Sequence, residues 1–161
     1  MTGHILYITD GSYSARMAGL QAIQIALSRQ TALQALFIID ESWRDILGDE
    51  WMSNSLTRMQ FYRWFETSVQ KYADEILIEF ANRARQQGVI VETAIKTGRF
   101  EKVVLTIVSQ TQPALLVLPN PHATGPAAAC GLKFNLHRLT KKIPCPVLTG
   151  PNTTESNSYN L

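Results

Sequence analysis

Residues 33–40, LQALFIID, are apolar at six of eight positions, without the alternation of a half-buried strand. A run this short and continuous fits a strand covered on both faces, as in a parallel sheet. Covering both faces requires helices, and helical patterns flank the run. Before it, Met17, Leu20, Ile23 and Leu27 recur at three- and four-residue spacings over residues 14–29, with Ser12 or Ser14 as the cap. After it, Phe65, Val69, Tyr72, Ile76, Phe80 and Ala84 mark one stripe of a helix from Ser55 to Gln87, closed by Gly88. Further strand-like runs are HILYIT (4–9), VIVETAI (89–95), ALLVL (114–118) and PVLT (146–149). Thr97-Gly98 reads as a turn opening a helix that reaches Gln112, and another helix is expected near 134–142. Residues 41–53 break the periodicity and read as a loop with a short helical turn.

Strands alternating with helices predict an α/β fold: a five-stranded, mainly parallel sheet with helices on both faces. The 161 residues suit one domain, placed at 1–150, followed by a polar tail, 151–161, read as disordered. In such sheets ligands lie beyond the carboxyl ends of the strands, where the strand order reverses. Asp10-Gly11-Ser12, Asp40, Thr97-Gly98 and the loop 119–133 all fall at such ends.

Composition removes several classes of function. No basic segment followed by a long apolar one opens the chain, and no apolar run approaches the roughly eighteen residues of a membrane span. The expectation is a cytoplasmic protein without a membrane contact. Cys130 and Cys145 form no C-x-x-C pair and no metal-ligand spacing with histidine, so no metal is expected. Cys145, opening the last strand, reads as a small buried hydrophobe. Net charge is only +2, yet no acidic residue lies between Glu101 and Glu155, while Lys102, Lys133, Arg138, Lys141 and Lys142 do. That stretch carries a positive field, but it lacks the interleaved aromatics and the density of basic residues that nucleic acid binding would require.

The order and spacing of ILYITDGSYSA, FIID, VETAIKTG, PALLVL and PCPVL resemble the universal stress protein family across residues 4–149. The resemblance implies a sheet of the adenine-nucleotide alpha-hydrolase-like topology and a homodimer formed along the last strand, here Pro146 to Thr149. For one branch of the family it also implies ATP bound over the strand ends. In that branch the fourth strand ends in glycine, a second glycine follows three residues later, and Gly-Ser or Gly-Thr comes nine residues on. Glycines let backbone N–H groups approach phosphate oxygens, and the hydroxyl adds a donor at a helix N-terminus.

This chain has Pro119 and His122 at the two glycine positions, and the Gly-Ser pair falls on Leu132-Lys133 or Lys133-Phe134. Pro119 removes a donor outright. Gly125 and Gly131 survive nearby, and Lys133 offers a point charge in place of backbone donors. By the resemblance, Asp10 matches the aspartate facing the nucleoside and Ile39 an apolar position near adenine. Asp10 equally suits a turn or helix cap. The candidate nucleotide cleft therefore comprises Asp10, Ser12, Ile39, Asn120, Gly125, Gly131 and Lys133. Its candidate ligand is ATP, AMP, a cyclic nucleotide or another adenine nucleotide.

No serine has a histidine and an acid at recognisable spacing, and no paired carboxylates stand out, so no catalytic residues are assigned. A phosphoacceptor receiver domain is excluded by the residues ending its later strands, Ile95-Lys96, Leu118-Pro119 and Thr149-Gly150. The segment Trp51 to Phe65 concentrates Trp51, Phe61, Tyr62, Trp64 and Phe65, which cannot share one narrow stripe. Tyr62 and Phe65 fit the core side; Phe61 and Trp64 lie partly off it. A lid, a dimer contact or a protein-partner site would account for them, and so would a preceding loop folded back over them. The expectation is a non-catalytic, homodimeric sensor or partner-binding module, with an adenine-nucleotide sensor as the alternative.

Overall fold

A computed structural model describes residues 3–40, 55–122 and 134–152. Along the chain run β1 (Ile5–Thr9), α1 (Tyr13–Arg29), β2 (Leu33–Asp40), α2 (Ser55–Gln86), β3 (Val91–Gly98), α3 (Phe100–Thr111), β4 (Leu115–Leu118), α4 (Leu136–Lys142) and β5 (Val147–Thr149). One sheet takes all five strands in the order β3-β2-β1-β4-β5, and each pairing is parallel. The order reverses between β1 and β4, which makes their carboxyl ends the switch point.

The strands alternate between two apolar layers. Ile5, Tyr7, Leu33, Ala35, Phe37, Leu115 and Val117 face α1 and α2, whereas Leu6, Ile8, Leu36, Ile38, Leu116 and Leu118 face α3 and α4. Both faces of β2 are covered, which is why its sequence reads as a continuous apolar run.

Ser12 caps α1, its hydroxyl accepting a hydrogen bond from the Ala15 amide at 3.2 Å. The buried face of α1 is Ala15, Ala18, Gly19, Ala22, Ile23 and Ala26. Of the expected stripe only Ile23 belongs to it, and Leu27 is 41% exposed. Two rings from elsewhere in the chain fill the space in front of this helix. Tyr7 and Phe80 pack with centroids 4.6 Å apart, and a Cβ at Gly19 would lie 2.7 Å from the Tyr7 hydroxyl.

In α2 the buried line is Val69, Ala73, Leu77, Ala81 and Ala84, with Phe65, Tyr72, Ile76 and Phe80 packed along its edge. The stripe read from the sequence is thus the flank of the face as much as its centre. At 32 residues α2 is about 48 Å long, whereas an eight-residue strand spans about 27 Å. Running antiparallel to the strands it joins, the helix carries its N-terminal turns to the carboxyl end of the sheet.

The third strand begins at Val91 and continues through Thr97-Gly98, expected as a turn. Pairing with β2 explains the extension, since its register runs on to Asp40 opposite Gly98. Among the described residues no helix is long and apolar enough to cross a membrane.

Candidate functional site

At the end of β1 the backbone turns sharply through Gly11, whose φ of 79° suits glycine. Three side chains shape this turn. Thr9 Oγ1 accepts from the Gly11 amide at 3.0 Å, Asp10 Oδ1 accepts from the Ser12 amide at 2.9 Å, and the Tyr72 hydroxyl donates to the Gly11 carbonyl at 3.4 Å. Asp10 is buried, at 3% exposure, yet lies at the switch point where a ligand would sit. Below the turn, Tyr7 donates to the Ala15 carbonyl at 2.6 Å, and burial pushes its phenol far above the ordinary tyrosine range. It is a structural donor to the first turn of α1.

The end of β4 is stitched to the first turn of α1. Ser14 is fully buried, and its hydroxyl accepts from the Asn120 amide at 2.9 Å. Asn120 Oδ1 accepts in turn from the His122 amide at 2.9 Å. Gly150, just past β5, donates to the Leu118 carbonyl at 2.8 Å and passes so near α1 that a Cβ there would stand 2.3 Å from the Ser14 carbonyl oxygen. Ser14 thus joins the ends of β1, β4 and β5.

Of the residues read from the sequence, the structure gathers Asp10, Ser12 and Asn120 around this junction. Ile39 lies at the end of β2, 7% exposed and packed in the core layer under α1 and α2. Gly125, Gly131 and Lys133 lie outside the described residues, as do Cys130, Trp43 and Trp51. Ser14 and Tyr72 are the participants that sequence reasoning missed. Ser14 was visible only as an alternative helix cap, and Tyr72 only as a member of a core stripe.

The aromatic segment stands at the same end of the molecule. Phe65 packs on the core, Phe61 and Tyr62 are half-buried, and Trp64 is 63% exposed. Phe61 contacts Trp64 at 5.9 Å and Phe65 at 6.1 Å between centroids. On the other face of the sheet, Arg138 reaches Glu101 with both Nε and Nη2, the former at 3.2 Å. That contact holds the Glu101 carboxyl below the usual carboxylate range. Cys145 is half-buried against the second apolar layer, and burial raises its thiol. It lies two residues before β5 and is half-buried, where a fully buried hydrophobe opening the strand was expected. Among the described residues no group of three or more His, Cys, Asp or Glu could hold a metal ion.

A parallel β3-β2-β1-β4-β5 sheet, with a polar turn after β1 beside the end of β4 at the switch point, defines a doubly wound domain. The family model described as the universal stress protein family matches residues 1–149, and the chain belongs to that family. Its fold is similar to that of the hypothetical protein MJ0577, at 19% identity and a TM-score of 0.69, with 93% of this chain and 96% of that one covered. It is also similar to the universal stress protein UspA from Lactobacillus plantarum, at 18% identity and a TM-score of 0.71, covering 92% and 97%. A universal stress family protein from Burkholderia pseudomallei matches at 17% identity and a TM-score of 0.63, covering 92% and 96%. No curated protein matches the sequence.

Proposed function

We propose that this universal-stress-type chain is a non-catalytic module of stress response or signalling. It works by sensing or by binding a partner, as a homodimer paired along β5, and does not clamp a triphosphate in the family's usual manner. The observation that carries this is the state of the backbone donors after β4. Pro119 and Pro121 have no N–H to give, and the amides of Asn120 and His122 already donate to Ser14 Oγ and Asn120 Oδ1. Several converging N–H groups are what a nested phosphate requires. The dimer is supported by β5, a three-residue edge strand that is half-buried at each position. It carries no charged residue, and an edge strand presents backbone N–H and C=O groups to which another chain can pair.

Thermal unfolding with ATP, ADP, AMP and cyclic AMP, with and without magnesium, tests the proposal. A ligand at a hundred times its Kd adds about 2.7 kcal/mol, a shift of a few degrees. No shift with ATP is expected. An ATP shift that Asp10→Asn abolishes would sink the proposal.

A second reading, an adenine mononucleotide sensor, has its own support. Asp10 is a buried carboxylate at the switch point, and one phosphate needs fewer donors than three. Similar structures include a universal stress protein in complex with cAMP, at 18% identity and a TM-score of 0.62. Another is a universal stress family protein from Arabidopsis thaliana with AMP bound, at 18% identity and a TM-score of 0.59. In this reading Asp10, Ser12, Ile39 and Asn120, with Gly125, Gly131 and Lys133, hold the nucleotide. A shift with AMP or cyclic AMP and none with ATP would select it.

A further inference from the structure

We propose that the outer face of α2 is an interaction surface for a second copy of this chain, the two helices packing antiparallel about a twofold axis near Lys71. Trp64 and Ile78 are 63% and 61% exposed. Lys71 stands midway between them in the sequence, and a step of seven residues returns to the same side of a helix within about 20°. The three therefore share one stripe. Ala73, on the buried line of the same helix, lies about 200° round from Lys71, so the stripe faces away from the sheet. Thr67, Asp74 and Glu75 complete it, and all are exposed. At one end the Trp64 ring leans on Phe61, with centroids 5.9 Å apart.

Single exposed apolar residues are ordinary on a protein surface. This stripe is marked out by its symmetry. In an isologous contact, residue i meets residue j and j meets i. With the axis at Lys71, Trp64 of one chain meets Ile78 of the other at both ends of the contact, about 10 Å from the axis. Between these apolar ends, each Lys71 ammonium comes within reach of the Asp74 and Glu75 carboxylates of the second copy, about one turn from the axis. A parallel arrangement would set Asp74 against Asp74 and Trp64 against Trp64, matching like charges along its length. One helix face against another is a small contact, under about 1,200 Å² in total, so the association is weak, with a Kd of about 100 μM. α2 packs over β2 and β3, on the far side of the sheet from β5. The contact is therefore separate from pairing along β5 and does not rest on it.

The test is cross-linking of full-length chains with a short bismaleimide. Cys130 and Cys145 are replaced by alanine, and each chain carries one new cysteine at Gln60 or Asn82. Both positions are exposed, lie on the stripe beyond its apolar ends and are equally far from Lys71. At about 100 μM, Gln60→Cys mixed with Asn82→Cys should give a cross-linked pair well above the collisional yield set by Gln60→Cys mixed with Lys141→Cys. Gln60→Cys alone should give only that background, because residue 60 and its copy would lie about 33 Å apart. Pairing along β5 cannot imitate the result, since it would hold the two α2 helices about 30 Å from each other. Adding Trp64→Ser/Ile78→Ser to both chains should lower the yield about tenfold. Both side chains are exposed, so the thermal midpoint should match the parent's at concentrations well below the Kd. Background yield from the mixed pair would overturn the proposal. So would self-cross-linking of Gln60→Cys, which would mean parallel helices, or a yield indifferent to Trp64→Ser/Ile78→Ser.

Discussion

Ser14 occupies a position in the first turn of α1 where an alanine would pack as well, yet its hydroxyl is the acceptor for the Asn120 amide. Removing it leaves a part-buried N–H unpaired. Ser14→Ala should therefore lower stability by about 1–3 kcal/mol, read as a lower midpoint in thermal or urea unfolding. Gly11 is constrained differently. Its φ of 79° is costly for any residue with a Cβ, and that Cβ would sit 2.2 Å from the Tyr72 hydroxyl. Gly11→Ala should cost about 1–2 kcal/mol from backbone conformation alone, with a steric share on top. Measured in a Tyr72→Ala background, the same substitution should cost less, because the steric share is gone. An equal cost in both backgrounds would mean that Tyr72 does not press on the turn.

Among the elements, α2 divides into a structural half and a presented half. Leu77 sits mid-face at 4% exposure, so Leu77→Ala should cost about 2–5 kcal/mol. Trp64, at 63% exposure, should change stability by no more than about 0.5 kcal/mol when replaced by alanine. A large loss at Trp64 would mean that the aromatic cluster is core and no interaction surface. The clasp between α3 and α4 gives a pH signature. Arg138 depresses the Glu101 pKa, so the clasp contributes above the unfolded carboxylate pKa and fades as pH falls through the lower folded value. The midpoint gap between the parent and Glu101→Gln should be present at neutral pH and close in acid. A gap that persisted in acid would contradict the assignment.

These elements were unequally legible. The strands and the order of helices could be read because short apolar runs stand between periodic ones. The buried face of α1 could not, because alanine and glycine carry little hydrophobic signal and the rings they accommodate, Tyr7 and Phe80, come from distant parts of the chain. The end of β3 was hidden because Lys96-Thr97-Gly98 is polar and only its pairing with β2 keeps it extended. At the site, Asp10 and Ser12 were readable as turn and cap chemistry. The role of Ser14 depends on contacts 106 residues away, beyond any local pattern.

At the scale of the whole molecule, the sheet has two edges of different character. β3 is eight residues long and carries Glu92 and Lys96 exposed along it, charges of the kind that discourage another strand from adding. β5 is three residues long, Val147-Leu148-Thr149, and bears no charge. The proposed homodimer uses that second edge, and mass action makes it testable without a ligand. If two chains pair there, sedimentation should give twice the 18.0 kDa chain mass, and the unfolding midpoint should rise with protein concentration. Thr149→Lys places a charge at the end of the edge strand, at a half-buried position, and should shift the population toward the monomer. The concentration dependence of the midpoint should disappear with it. A parent chain that sediments as a monomer would remove β5 pairing from the proposed function and leave the exposed Trp64 end of α2 as the surface for a partner.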